Sequence, residues 1–188
     1  MGNRRRLRFC SVALFVYICH MDTHRHKTAE MTQADGSPDA SGSVAWFGKV
    51  LEIVSEEGAL VEFIPQGYSM WPALRPARDT VLLKRAAAYR RGDIVLARCD
   101  APHDVVLHRI VSVENARAVL MGDSNLFQTE TCLLGAIAGK VVSIRRDGRD
   151  ITRSASTRLL GAVQRLPATL RRAVVRTLNT VRKWCTKI

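Results

Sequence analysis

Apolar residues alternate with polar ones in several short runs through the middle of this chain, and they recur at helical spacing toward both ends. Residues 60–64 alternate as a strand does. The runs at 79–84 and 93–98 are apolar and β-branched, bounded by Arg-Pro and by Arg-Arg-Gly-Asp turns. Residues 105–114 and 116–121 predict a hairpin turning at Glu114-Asn115. A last strand is expected over 138–145, followed by an Asp147-Gly148 turn. Upstream, Val44, Phe47, Leu51 and Val54 keep a 3.6-residue period; Ser43 is placed to cap that helix and Gly58 to end it. Downstream, 157–166 and 168–186 predict two helices with Pro167 between them. Leu170, Val174, Leu178 and Val181 form one stripe of the second, with arginines around the other faces. Short strands at this spacing imply a mostly β, antiparallel domain with an N-terminal helix and C-terminal basic amphipathic helices. Three segments follow: a basic, apolar start and a breaker-rich linker over 1–43, a β domain over 44–150, and a helical tail over 151–188.

The charge changes the picture at the ends only. The net charge is +12 over 188 residues. Arg4, Arg5, Arg6 and Arg8 form one basic cluster, and 151–188 contains no Asp or Glu. The middle is close to neutral, so the charge speaks to where the domain sits rather than to its chemistry. Two readings of the tail stand side by side. It is an interfacial helix on anionic lipid, or an amphipathic helix packed on its own domain or on a partner. The first reading makes the tail dispensable for folding of the β core. Five cysteines lie far apart with no CxxC pair, which argues against a disulfide framework and a zinc site. The His20, His24 and His26 cluster matches no standard closed metal site. No cofactor is expected. The apolar stretch 9–19 is too short to span a bilayer as a helix. After its arginines it reads as a targeting segment, or as an over-extended start with Met21 or Met31 as the true first residue. A cytoplasmic or peripherally membrane-associated chain without a full-length transmembrane helix is expected.

Four blocks carry candidate chemistry. They are Gly67-Tyr68-Ser69-Met70-Trp71-Pro72-Ala73-Leu74, Arg91-Gly92-Asp93, Leu107-His108-Arg109-Ile110 and Gly122-Asp123-Ser124-Asn125. A serine, a histidine and an aspartate each stand at the edge of an apolar run. That set can activate a hydroxyl: the serine attacks, the histidine takes its proton, and the aspartate holds the imidazole. In order and spacing, residues 61–149 resemble the serine peptidase superfamily of type I signal peptidases and LexA-like self-cleaving repressors. The resemblance implies a LexA-like antiparallel β core with Ser69 as nucleophile. Histidine stands where most bacterial members have a lysine, as in the archaeal and endoplasmic-reticulum signal peptidases. An imidazole already titrates near neutral pH, whereas a lysine must be desolvated to act as a base. The resemblance assigns the base to His108 and its support to Asp123. Lys84 is the rival base and is expected to be a solvated strand end; Asp93 is expected to be a turn residue. Glu130 lies near, but not at, the offset of a second acidic residue in the eukaryotic-type enzymes. The family often has a serine two residues before the nucleophile, whose hydroxyl serves the oxyanion. Gly67 stands there, so the second donor is unassigned.

The resemblance implies a serine endopeptidase acting on a peptide or protein in extended conformation, laid along an open sheet edge. The alternative is an inactive peptide- or membrane-surface-binding module on the same fold. An anionic membrane surface bound through 151–188 is the further partner expected. Specific nucleic-acid binding is not, because 31–58 offers one helix where a helix-turn-helix needs two.

Overall fold

The computed structural model describes residues 16–19, 40–56, 58–100, 105–152 and 155–185. The elements in order are β1 (Val16–Cys19), α1 (Ala40–Ser55), β2 (Leu60–Phe63), β3 (Thr80–Lys84), β4 (Ile94–Arg98), β5 (Val105–Glu114), β6 (Arg117–Met121), β7 (Glu130–Leu133), β8 (Ile137–Arg146), β9 (Arg149–Asp150), α2 (Ala155–Val163) and α3 (Ala168–Cys185). The strands form one nine-stranded antiparallel sheet in the order β1-β2-β3-β8-β4-β5-β6-β7, with β9 paired to β8. The chain is thus mostly antiparallel β with a few helices. The six strands expected from alternation fall in place to within a residue.

Two long strands shape the sheet. β8 pairs with β4 through its first half and with β3 through its second. β5 pairs with β4 over Val105 to Arg109 and then with β6 from Arg109 onward. Register shifts interrupt the β3–β8, β4–β8 and β5–β6 ladders; such irregularities bend a strand and increase its twist. As a result β4 is buried on both faces. Ile94 and Leu96 join a core formed with Phe47, Val50 and Val54 of α1 and with Val61, Phe63, Val81 and Leu83. Val95 and Ala97 join a second core with Val106, Ile110, Ala118, Leu120 and Cys132. A continuous apolar strand such as Ile94-Val95-Leu96-Ala97 is what burial on both faces requires. The β5–β6 turn forms where expected, with Asn115 and Ala116 both at positive φ, the conformation a tight two-residue hairpin loop needs.

Four findings differ from the sequence expectations. Helix α1 starts at Ala40, inside the stretch read as linker, and it buries Val50 more deeply than Leu51. Val16–Cys19, read as part of a targeting segment, is a strand paired with β2; the rest of 9–19 and the histidine cluster lie outside the described residues. β7 was not foreseen, because four residues of Glu-Thr-Cys-Leu carry too little alternation to stand out. The tail packs on the body. Leu160, Val163, Gln164, Arg171 and Val175 are buried, so its contacts argue against the expectation that it is dispensable. Its buried face is also rotated from the expected stripe: Arg171 and Val175 face inward while Leu170 and Val181 are exposed.

Candidate functional site

Ser69 sits in the long connection between β2 and β3. Trp71 N–H donates to the Tyr68 carbonyl (3.0 Å) and Leu74 N–H to the Met70 carbonyl (2.9 Å), winding the segment into a short turn. Met70 and Leu74 are buried in the first core and anchor that turn. Asp79 closes the connection. Fully buried, its carboxylate accepts from the Arg75 N–H (2.8 Å) and from Nε and Nη2 of Arg146 (2.9 and 2.6 Å). That carboxylate, accepting from the guanidinium, holds the Arg146 pKa above its ordinary value. Ser69 is thereby left half-buried at the bend.

His108 lies on β5, opposite Val95. Strand alternation turns it to the same face as Val106 and Ile110. Its neighbours Val105 and Leu107 pack on the first core instead. His108 is buried, and its Nδ1 stands 2.8 Å from Oε2 of Glu130, the first residue of β7. Glu130 is only 3% exposed. A buried carboxylate needs a hydrogen-bond donor, and a proton on Nδ1 supplies it; Nε2 is the ring nitrogen not engaged with Glu130. The other carboxylate oxygen, Oε1, has no partner among the described residues.

Asp123 does not meet the imidazole. Two residues beyond β6, it takes both Nε and Nη2 of Arg109 (2.8 and 2.7 Å) in a buried, bidentate pair. Arg109 also donates to the Gly92 carbonyl (2.9 Å), and Gln164 of the tail approaches the Asp123 carboxylate (3.4 Å). The expected aspartate–histidine contact is thus replaced by glutamate–histidine. The cause is strand direction: His108 and Arg109 are adjacent and point to opposite faces. The side that reaches Asp123 is therefore the arginine's.

The turn holding Asp123 also grips the serine. Ser124 N–H donates to the Ser69 carbonyl (2.8 Å), and Ser124 Oγ to the Tyr68 and Ser69 carbonyls (2.8 and 3.1 Å). Gly122 permits this approach: a Cβ there would lie 2.6 Å from the Ser69 carbonyl oxygen. On its other side the turn meets α3. Asn179 donates to the Ser124 carbonyl (2.9 Å), and Arg171 to those of Asn125 and Leu126 (3.1 and 3.0 Å).

These pieces converge on a cleft of about 290 Å³ lined by Gly67, Ser69, Met70, His108, Asn125 and Glu130, with Gln66 and Gln128 among the other polar residues. Ser69 and His108 share it. Among the described contacts no direct hydrogen bond joins the hydroxyl to the imidazole. Lys84 is exposed and does not line the cleft. Asp93 accepts from the Arg90 N–H (3.0 Å) and stands 3.6 Å from Lys140, a turn role as expected. Gly67, at positive φ, lines the cleft but brings no side-chain donor. Of the residues the sequence reading left in the background, Glu130 was visible by type but not by offset. Arg171 and Asn179 were hidden because nothing in a helical pattern shows which polar positions turn inward. Comparison with family models, with curated proteins and with solved structures finds no match to this chain.

Proposed function

We propose that this chain is a serine endopeptidase of the kind the four blocks resemble, with Ser69 as nucleophile, His108 as base and Glu130 as the carboxylate that orients the base. The observation that carries the reading is a serine and a buried histidine lining one cleft, the histidine bonded through Nδ1 to a buried carboxylate. In the reaction, Nε2 takes the Ser69 proton as Oγ attacks the peptide carbonyl. The Glu130 carboxylate stabilises the imidazolium, which then protonates the leaving amine. Water hydrolyses the acyl-enzyme with the same histidine as base. The Ser69 N–H supplies one donor to the oxyanion. Asp123 serves instead as the buried partner of Arg109, stiffening the turn that grips Ser69.

The register supports a route for the substrate. Among the described residues, 105–108 pair only with β4, because β6 joins β5 from Arg109 onward. Val105, Val106 and Leu107 line the cleft, so an extended peptide could add to this edge, unpaired among the described residues, and bring its carbonyl to the serine. A hydrogen bond from the Ser69 hydroxyl to the imidazole would have to form as substrate binds, since catalytic contacts are often incomplete in the free enzyme.

The competing reading is a peptide-binding module on the same cleft, favoured by the lack of a direct serine–histidine hydrogen bond. Labelling with a fluorophosphonate probe separates the two. Covalent, stoichiometric modification lost in Ser69→Ala supports the peptidase. Modification surviving in Ser69→Ala, or absent from the wild type, refutes it.

We also propose an anionic membrane surface as a partner. It is supported by Leu170 and Val181, 57% and 52% exposed on a helix free of acidic residues. Among the described residues no helix is long and apolar enough to cross a membrane, so such contact would be peripheral.

A further inference from the structure

Helix α3 faces the body with an unusual set of side chains. A helix that packs only for stability turns apolar residues inward. Val175 does so here, but Arg171 is buried beside it and Asn179 is half-buried. Both donate to backbone carbonyls of one short turn. The carbonyls of Ser124, Asn125 and Leu126 are all held by α3 donors. Arg171 also reaches the Met121 sulfur. From the opposite side, Ser124 of the same turn holds the carbonyls of Tyr68 and Ser69. Near the end of α3, the Arg182 guanidinium lies 5.0 Å from the Tyr68 ring and 6.0 Å from that of Trp71. The helix therefore touches the residues on both sides of Ser69 and, through one turn, the carbonyl of Ser69 itself.

The energetics argue against simple packing. Arg171 is a buried cation whose described partners are two carbonyls and a thioether, with no carboxylate among them. Burial, and then the neighbouring charge of Arg172, push its pKa down. Burying a cation without a carboxylate partner carries a desolvation cost that an apolar residue at the same place would not. What an apolar residue cannot do is hold the Asn125 and Leu126 carbonyls.

We infer that α3 is part of the site: Arg171 and Asn179 are positioning residues that lock the Ser124–Leu126 turn and, through Ser124, the Ser69 backbone. This inference rests on the reading of Ser69 as the reactive group, and it gives the tail a role in the chemistry.

The test uses the full chain with Arg171→Met, Arg171→Lys and Asn179→Leu. Two readouts are taken: the second-order rate of fluorophosphonate labelling across pH, and amide hydrogen exchange segment by segment. Arg171→Met and Asn179→Leu are expected to slow labelling roughly 10- to 100-fold, the scale of a small misplacement of a reacting group. Exchange should quicken at 67–71 and 122–126 while β3, β4 and β8 keep their protection. The pH midpoint of labelling should not move, because His108 and Glu130 are untouched, and Arg171→Lys should recover part of the rate. Unchanged labelling with unchanged exchange at 67–71 overturns the inference. So does exchange that rises equally in the strands, since α3 would then be a packing element. If the wild type takes no label, the peptidase reading fails and exchange alone decides the role of α3: coupling of 67–71 to Arg171 sustains it, and its absence ends it.

Discussion

The histidine and its carboxylate must be tested together, because each is the other's buried partner. His108→Ala would strand Glu130, whose Oε1 already lacks a described partner; breaking a buried pair this way costs about 3–5 kcal/mol. His108→Gln keeps an N–H near the carboxylate and is the cleaner probe. It is expected to abolish fluorophosphonate labelling with the far-UV circular dichroism unchanged, while Lys84→Ala labels as wild type. Labelling that survives in His108→Gln and fails in Lys84→Ala would reverse the assignment of the base. Glu130→Gln keeps a side chain of the same shape but cannot stabilise an imidazolium. Its labelling rate should fall by roughly 10²- to 10⁴-fold, by analogy with the buried aspartate of serine protease triads. Asp123→Leu should act mainly on stability. It leaves the Arg109 guanidinium buried without its carboxylate, at a cost of about 3–5 kcal/mol, read as a lower midpoint in urea unfolding. Equal stability of wild type and Asp123→Leu would show that the pair is dispensable.

Among the elements, the turn at 122–125 carries the closest tolerance. A methyl at Gly122 would overlap the Ser69 carbonyl oxygen, which is backbone and cannot rotate away. Gly122→Ala should destabilise the chain by about 1–3 kcal/mol, as overpacking does, and slow labelling of Ser69 as well. A variant of wild-type stability and labelling rate would mean that the two segments separate freely. Where β9 pairs with β8, Asp150 ties β9 to the start of the tail. Its carboxyl accepts from Thr152 N–H (2.8 Å) and Ser143 Oγ (2.9 Å), while Thr152 Oγ1 accepts from Ile144 N–H (2.7 Å). The Thr152 hydroxyl first, then its N–H and the Ser143 hydroxyl, hold the Asp150 pKa below its ordinary value. A depressed carboxyl favours the fold above its unfolded-state pKa, and the benefit is lost as pH falls through the folded one. The stability gap between wild type and Asp150→Asn should therefore be present at neutral pH and close in acid. A gap that widens in acid would contradict the assignment.

For the whole molecule, the tail joins two properties that deletion would confound. Arg171, Val175 and Gln164 pack on the body, whereas Leu170 and Val181 face outward. Removing 151–188 would strip the 122–126 turn of its partners along with any membrane contact. Leu170→Gln with Val181→Gln changes the outer surface alone. Co-sedimentation with anionic vesicles at low salt is expected for the wild type, weakening at high salt and with neutral vesicles. The double variant should bind less while unfolding at the same temperature. Equal binding by wild type and double variant would remove this flank as the contact.

The sequence by itself determined six of the nine described strands, and it singled out two residues, Ser69 and His108, that line one cleft. Alternation is local, so it marks strands wherever a run is long enough, and it fails for the four-residue β7. The Gly67–Leu74 and Leu107–Ile110 blocks singled out Ser69 and His108 through the resemblance they carry, since either residue alone reads as a turn or strand position. The tertiary structure alone decided which acid meets the His108 imidazole. Adjacent strand residues point to opposite faces, so turning His108 toward β7 and Glu130 commits Arg109 to the Asp123 side. Residues 22 apart on β5 and β7 become neighbours only after β6 returns the chain. The same holds for the tail: amphipathic spacing predicted a helix, but the turn whose free carbonyls it met decided which face lay inward.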